Sequence, residues 1–569
     1  MRKKGTLLIL TSTLLFSVLF SASLIEPCSG ASLTPIESQI VGLVNGSRTY
    51  NYDVELEKIA FNHTLSKYSL RAGGSSGANA TADWILEQFQ SFGLEAYKEP
   101  FQFTNWDVLS KPALIIDDDG NPGTTNDQIA INSFLPEHYS WSTTQTGAFA
   151  DLVILPLPPA TSHAELGLYP INLTAWNAID TTGKILLIGR EIRMVSSWEQ
   201  TYKDKLSAQT PAAVVYTWWY EWMSFIPNFF SSVGGRPAGN KGPYYWNLGI
   251  PVGFVNYSDG LWIRNREGSL DVFARVKIEA VIGAGPHYNV IGRLAGYKYP
   301  DKLVIVSSHY DTVMCSGFFD NGAGTAGVIE LARIFAEVNH AGLIFPEYTI
   351  LFMPFASEEL GLVGSINYVM QHKSEMSDII AVINLDCIGS DDFAYSETNP
   401  GTYFDLDELV QKSAQDLGIA AQIEAGGGDE ASFLDPAVAD GLYQNMWGLS
   451  AGIADAAPVN SSIFFGSLPA VYRELWTTGK TGWMHTSYDN STSTATLNWV
   501  ESDDLGNHVK VAALSIARIV HGYIGSPVGG IIIPTNKLAL IAPWIGLTTV
   551  ILGAGIVTTT YIKHKKKNQ

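Results

Sequence analysis

Cysteine is nearly missing from this chain of 569 residues, which has only Cys28, Cys315 and Cys387. Three thiols cannot staple a fold of this size, so a disulfide framework is excluded. Cys315 and Cys387 could pair, but their positions do not show it, and both read as buried free thiols. Positive charge is also short. There are 35 Lys and Arg against 55 Asp and Glu, a formal net charge of -20. A surface this acidic repels phosphate backbones, and no dense basic cluster lies outside the two termini, which argues against a nucleic-acid partner. No internal repeat is present, and at 46% hydrophobic the chain is not of disordered composition. The length implies more than one domain.

The two ends are apolar in different ways. Met1 to Lys4 is basic, Leu7 to Phe20 is apolar, and small residues follow at Ser21–Ser23 and Ser29–Ala31. This is the pattern of a signal peptide over 1–31. Leu538 to Ile562 has no charge and is long enough to span a bilayer. Lys563 and Lys565–Lys567 follow it, so the positive-inside rule keeps the tail (563–569) cytoplasmic and the body outside the cell. Residues 525–537 read as a Gly/Pro-rich stalk. The expected location is the cell surface, with one C-terminal membrane helix.

Between the ends, three regions differ. Residues 32–105 read as helices and a strand; Trp84, Ile85, Phe89 and Phe92 recur at helical spacing and Gly93 stops them. Residues 106–286 are rich in Pro, Gly and aromatics and predict a mostly β insert. The aromatic run Tyr216 to Phe230 reads as packing, with a lid over a cleft as the functional alternative. From 287 to 524 strands and helices alternate. Leu303–Ser307, Tyr348–Phe355 and Ile379–Leu385 read as buried strands, and Gly324–Val338 as a helix between them. The predicted fold class is α/β, a doubly wound, mostly parallel sheet.

In such a sheet, ligands bind beyond the carboxyl ends of the strands. The first strand ends in His309-Tyr310-Asp311, the second in Ser357-Glu358-Glu359 and the third in Asn384-Leu385-Asp386. Asp320-Asn321-Gly322 precedes the intervening helix, and His485 to Asp489 lies downstream. Each site alone has a plain reading: Asp320 or Asn321 as a helix cap, a Glu-Glu pair as a solvated turn, a lone His as packing. Together they place metal-ligand types at every strand end. The run Gly322-Ala323-Gly324-Thr325-Ala326-Gly327 matches a dinucleotide-binding pattern, but it is separated from its strand by His309, Asp311 and Asp320. Its glycines are read as helix–sheet packing.

These motifs, in this order, resemble those of the co-catalytic zinc aminopeptidases, a family that includes bacterial leucyl aminopeptidases, aminopeptidase Y and glutamate carboxypeptidase. The resemblance covers about 36–103 and 289–524. The insert resembles a protease-associated domain at Thr182–Leu187 and Gly249–Val252. The resemblance implies two zinc ions per chain and peptide substrates. It implies that Asp320 bridges the ions, that His309 and Asp386 hold one, and that Glu359 and His485 hold the other. It further implies that Asp311 orients the His309 ring and Glu358 is the general base. Two departures stand out: Met484 where relatives often carry Tyr, and Gly428-Asp429-Glu430 where they often carry Ser-Asp-His. The expected activity is that of an aminopeptidase. Carboxypeptidases and glutaminyl cyclases share the scaffold, and a catalytically inactive receptor is the alternative from another class.

Overall fold

A computed structural model describes residues 33–62, 68–118, 128–162, 165–193, 195–221, 249–267, 272–313, 315–390, 393–395, 406–423, 427–447, 450–459, 461–467, 489–491 and 500–521. The expected leader, stalk, membrane span and basic tail lie outside them, as does His485. Among the described residues no helix is long and apolar enough to cross a membrane.

The main sheet has eight strands: β1 (Glu95–Val108), β2 (Ala280–Leu294), β3 (Tyr299–His309), β4 (Tyr348–Phe355), β5 (Ile379–Leu385), β6 (Phe393–Tyr395), β7 (Ala421–Ile423) and β8 (Ser462–Ser467). Their order is β1-β2-β4-β3-β5-β8-β6-β7. β4, β3, β5 and β8 run parallel. β2 opposes β4, β1 opposes β2, and β6 opposes β8. β6 and β7 are parallel to each other, so the sheet is mixed, with four of its seven pairings parallel and three antiparallel. Burial patterns report how many faces of a strand are covered, not which way it runs. Every residue of β4 and β5 is buried, as their continuous apolar runs require.

One group of helices around the sheet comprises Gly46–Asn62, Ser76–Ser91, Gly324–His340 and Ser502–Val520, and another comprises Val363–Gln371 and Pro436–Trp447. The helix from Ser76 is capped by Ser75 Oγ, which accepts the Ala78 N–H at 3.0 Å. It ends at Gly93, whose φ of 82° suits a residue without Cβ. Glycine also permits a close helix crossing. A Cβ on Gly46 would lie 1.8 Å from the Ser502 carbonyl oxygen.

β1 and β2 pair along their whole length, from Glu95↔Arg293 to Val108↔Ala280. This ribbon carries a second eight-stranded sheet built from Ala113–Lys277. The expectation of a mostly β insert needs correction. Ala148–Leu155, Ile185–Gly189, Ala213–Thr217 and Val252–Phe254 pair in parallel, which requires crossovers, and helices at Leu173–Ala178 and Ser196–Ala208 supply the first two. Side chains alternate between two cores. Leu186, Ile188, Val214 and Tyr216 face one, and Ile185, Leu187, Ala213 and Val215 the other. In the aromatic run, Tyr216, Trp218 and Tyr220 are buried in the first core, so these three are packing residues; 222–248 lie outside the described residues.

Candidate active site

Strand register gathers the site. His309 pairs with Phe355 across β3 and β4, and Ser307 with Asn384 across β3 and β5. The three parallel strands thus end level. The residues that end or follow them, His309, Glu358, Glu359 and Asp386, share one edge.

His309 is buried at the centre. Its Nε2 lies 3.2 Å from Asp320 Oδ1, 3.5 Å from Asp386 Oδ1 and 3.8 Å from Glu358 Oε2. His309, Asp320 and Asp386 each offer a ligand atom, all within 4.8 Å of one another. Its Nδ1 lies 3.1 Å from the Asp311 carbonyl oxygen and 3.6 Å from the Asp311 carboxylate. The shorter approach is thus the backbone, not the carboxylate that the resemblance implied. Asp311 Oδ1 instead accepts the Glu358 N–H at 3.0 Å.

Asp320 sits on an irregular turn before the helix Gly324–His340. The capping bond goes to its neighbour. Asn321 Oδ1 accepts the Gly324 N–H at 2.9 Å, and Asn321 Nδ2 donates to the Leu385 carbonyl at 2.9 Å. That leaves the Asp320 carboxylate to face His309. Asp489 holds the turn from behind, accepting the N–H groups of Phe319 at 2.7 Å and Asp320 at 3.2 Å. Glu358 and Glu359 occupy a single helical turn between two residues in the left-handed region, Ser357 (φ 62°) and Leu362 (φ 58°). Glu359 and Asp386 are buried, whereas the Glu358 side chain keeps 18% of its surface exposed.

The charge balance is lopsided. Asp311, Asp320, Glu358, Asp386 and Asp429 crowd one imidazole, and Glu359 adds its charge against Glu358. Burial, and then the charges of Glu359, Asp429 and Asp386, push the Glu358 carboxyl well up against the pull of His309. Burial would lower the His309 pKa, but Asp386, Glu358, Asp311 and Asp320 raise it well above its ordinary value. Among the described residues nothing donates a hydrogen bond to Asp386 Oδ1. A buried cluster with such excess negative charge fits a dication, which would reverse these shifts and leave the carboxylates ionised. His, Asp and Glu are the donors that zinc takes.

Some supporting residues carried no sequence signal. Arg71 is buried and donates to the carbonyls of Tyr310 and Gly317 at 3.0 Å each, holding the loop between His309 and Asp320. Glu430, noted only as a departure, accepts the Gly428 N–H and the Asn384 Nδ2–H at 3.0 Å. Asn384 in turn accepts from Ser307 Oγ at 2.9 Å. No disulfide joins Cys315 to Cys387; Cys315 is buried as expected, whereas Cys387 is only part-buried.

Comparison with known proteins places this arrangement. Residues 289–503 match Peptidase family M28. The chain is 31% identical over 238 residues to "Aminopeptidase YwaD" of Bacillus subtilis, a match that covers 40% of this chain and 43% of that protein. It therefore spans less than half of that relative's length. It is 25% identical over 410 residues to "Leucine aminopeptidase 2" of Arthroderma otae, covering 68% of this chain and 71% of that protein. Among solved structures, BSAP, a zinc aminopeptidase from Bacillus subtilis, aligns with 84% of this chain and 96% of its own, at a TM-score of 0.54 and 20% identity. That likeness shows a shared fold.

Proposed function

We propose that this chain, which carries a family M28 peptidase segment at 289–503, is a cell-surface zinc aminopeptidase. The observation that supports this best is the part-buried Glu358, its side chain 18% exposed, beside the buried His309–Asp320–Asp386 cluster at one sheet edge. His309 and Asp386 would hold one zinc, Glu359 and His485 the other, and Asp320 would bridge them. When bound, zinc supplies Lewis acidity to the carbonyl under attack and acidifies water. Glu358, the least buried carboxylate of the cluster, takes a proton from the attacking water and hands it to the leaving amine. Asp311 and Ser357 set the direction of that side chain through the backbone of the turn. The insert reads as a protease-associated-like subdomain beside the peptidase sheet. The signal peptide 1–31 and the helix 538–562 would place the whole outside the cell on a single anchor.

The test is zinc content and turnover on aminoacyl chromogenic substrates and on peptides blocked at either end. The expected result is two zinc ions per chain and hydrolysis that needs a free amino end. Glu358→Gln is expected to lower kcat about 10³-fold while keeping both metals. Activity only on free carboxyl ends would reassign the substrate class, and a chain with neither zinc nor turnover would end the enzyme reading.

A further inference from the structure

The Glu358 turn depends on Ser357, a residue in the left-handed region that only glycine enters without cost. Such a conformation persists where its surroundings hold it. The Ser357 hydroxyl meets His287 Nδ1 at 2.7 Å. The other ring nitrogen, Nε2, lies 3.2 Å from the Thr104 carbonyl oxygen. A carbonyl can only accept, so Nε2 carries the proton, and Nδ1 accepts from the Ser357 O–H. Each polar atom of the ring thus has one partner and one role.

The pair is enclosed. His287 is buried, with Phe101 at 5.4 Å and Phe103 at 5.6 Å between ring centroids. A Cβ on Gly74 would lie 2.8 Å from the His287 ring, and one on Gly73 would lie 2.9 Å from Ser357 Oγ. Burial pushes the His287 pKa down to about 4, so the ring is neutral at ordinary pH and the tautomer is set by its partners. His287 and Thr104 both belong to the β1–β2 ribbon that carries the insert. From the insert, His138 Nε2 meets the Gly73 carbonyl at 3.1 Å. The ribbon therefore meets the catalytic turn at Ser357 through the His287 imidazole, while Asn289 of the same strand bonds the flanking backbone at Ala356 and Gly364.

We propose that His287 is a positioning residue for the reaction: it ties Ser357 to Thr104 and thereby fixes the direction of Glu358, without touching metal or substrate. This rests on the reading of Glu358 as the base. It identifies a functional role for a histidine outside the strand-end motifs.

The experiment uses the full chain and compares His287→Phe, Ser357→Ala, the double variant and Glu358→Gln. Phe keeps the ring volume among Phe101 and Phe103 and removes both hydrogen bonds. Ala at 357 breaks the same bond from the other side and opens little space. Each single variant is expected to lower kcat about 10- to 100-fold, as small misplacements of a catalytic group do, with KM and bound zinc unchanged. The acid limb of the kcat/KM–pH profile should move with them, which loss of general stability would not cause. The double variant should be no worse than the worse single, because the Ser357–His287 bond is already lost in each of them. Wild-type kcat and pH profile in both single variants, with zinc retained, would overturn the proposal, and so would losses that multiply in the double. Wild-type turnover in Glu358→Gln would instead remove the base assignment on which the proposal stands.

Discussion

At the scale of single residues, buried carboxylates divide by what compensates them. Those around His309 are crowded enough to call for a metal. Glu191 in the insert has no such remedy. It accepts the N–H groups of Trp219 at 2.8 Å and Tyr220 at 3.2 Å, and Arg264 stacks on the Trp219 ring at 4.3 Å. Burial still wins and pushes its carboxyl up to about 7. The unfolded chain would release that proton near pH 4.5. The folded chain therefore binds the extra proton between about pH 4.5 and 7, and stability falls as pH rises through that window. Glu191→Gln is expected to flatten this dependence: little change in Tm near pH 4, and a higher Tm than the native chain at pH 8. Thermal unfolding at the two pH values checks it, and equal shifts at both would show that Glu191 does not titrate there.

At the scale of elements, the site depends on how closely one helix approaches one strand. A Cβ on Gly324 would lie 2.2 Å from both Asn321 Oδ1 and the Leu385 carbonyl oxygen. One on Gly327 would lie 3.0 Å from Leu385 Cδ2. The glycine-rich run is thus helix–sheet packing, with the Asn321 cap built into it. Gly324→Ala must push the helix off β5 or break the Asn321 bonds. The expected result is a loss of about 1–3 kcal/mol of stability, as in other overpacked cores, together with weaker zinc retention because Asp320 adjoins Asn321. Denaturant unfolding and a zinc titration against a chelator would show both. Unchanged values in each would mean that the helix end yields more easily than its contacts imply.

At the scale of the whole molecule, the main sheet and an inserted sheet share one ribbon, and the apolar ends of the chain set its expected address. If 538–562 anchors the protein, the full chain should sediment with membranes and resist extraction by high salt. A chain ending at Gly525 should be released with its turnover intact. A full chain that stays soluble would remove the anchor from the proposal and leave the chemistry untouched. The ribbon also explains why the insert was only half legible. Its Pro, Gly and aromatic content pointed to short strands. The parallel pairing of Ile185–Gly189 with Ala213–Thr217, and the helix Ser196–Ala208 between them, became visible only in three dimensions. Trp198, Tyr202 and Leu206 give that helix its buried face, but across a stretch dense in aromatics they do not stand out as a period.

What the sequence alone determined is the inventory and its order. Continuous apolar runs in β3, β4 and β5 announce strands covered on both faces, and His309, Glu358, Glu359 and Asp386 stand at or just beyond their ends. Local pattern suffices there because side-chain burial and chain order are both written along the chain. The tertiary structure decided what distance and direction decide. It made the sheet mixed, brought Asp320 within 3.2 Å of His309, and turned the Asp311 carboxylate to the Glu358 backbone. It also recruited Arg71, His287 and Asp489 from segments far apart in sequence. A hydrogen bond between distant residues depends on how strands and loops close in space, and a one-dimensional pattern holds no record of that closure.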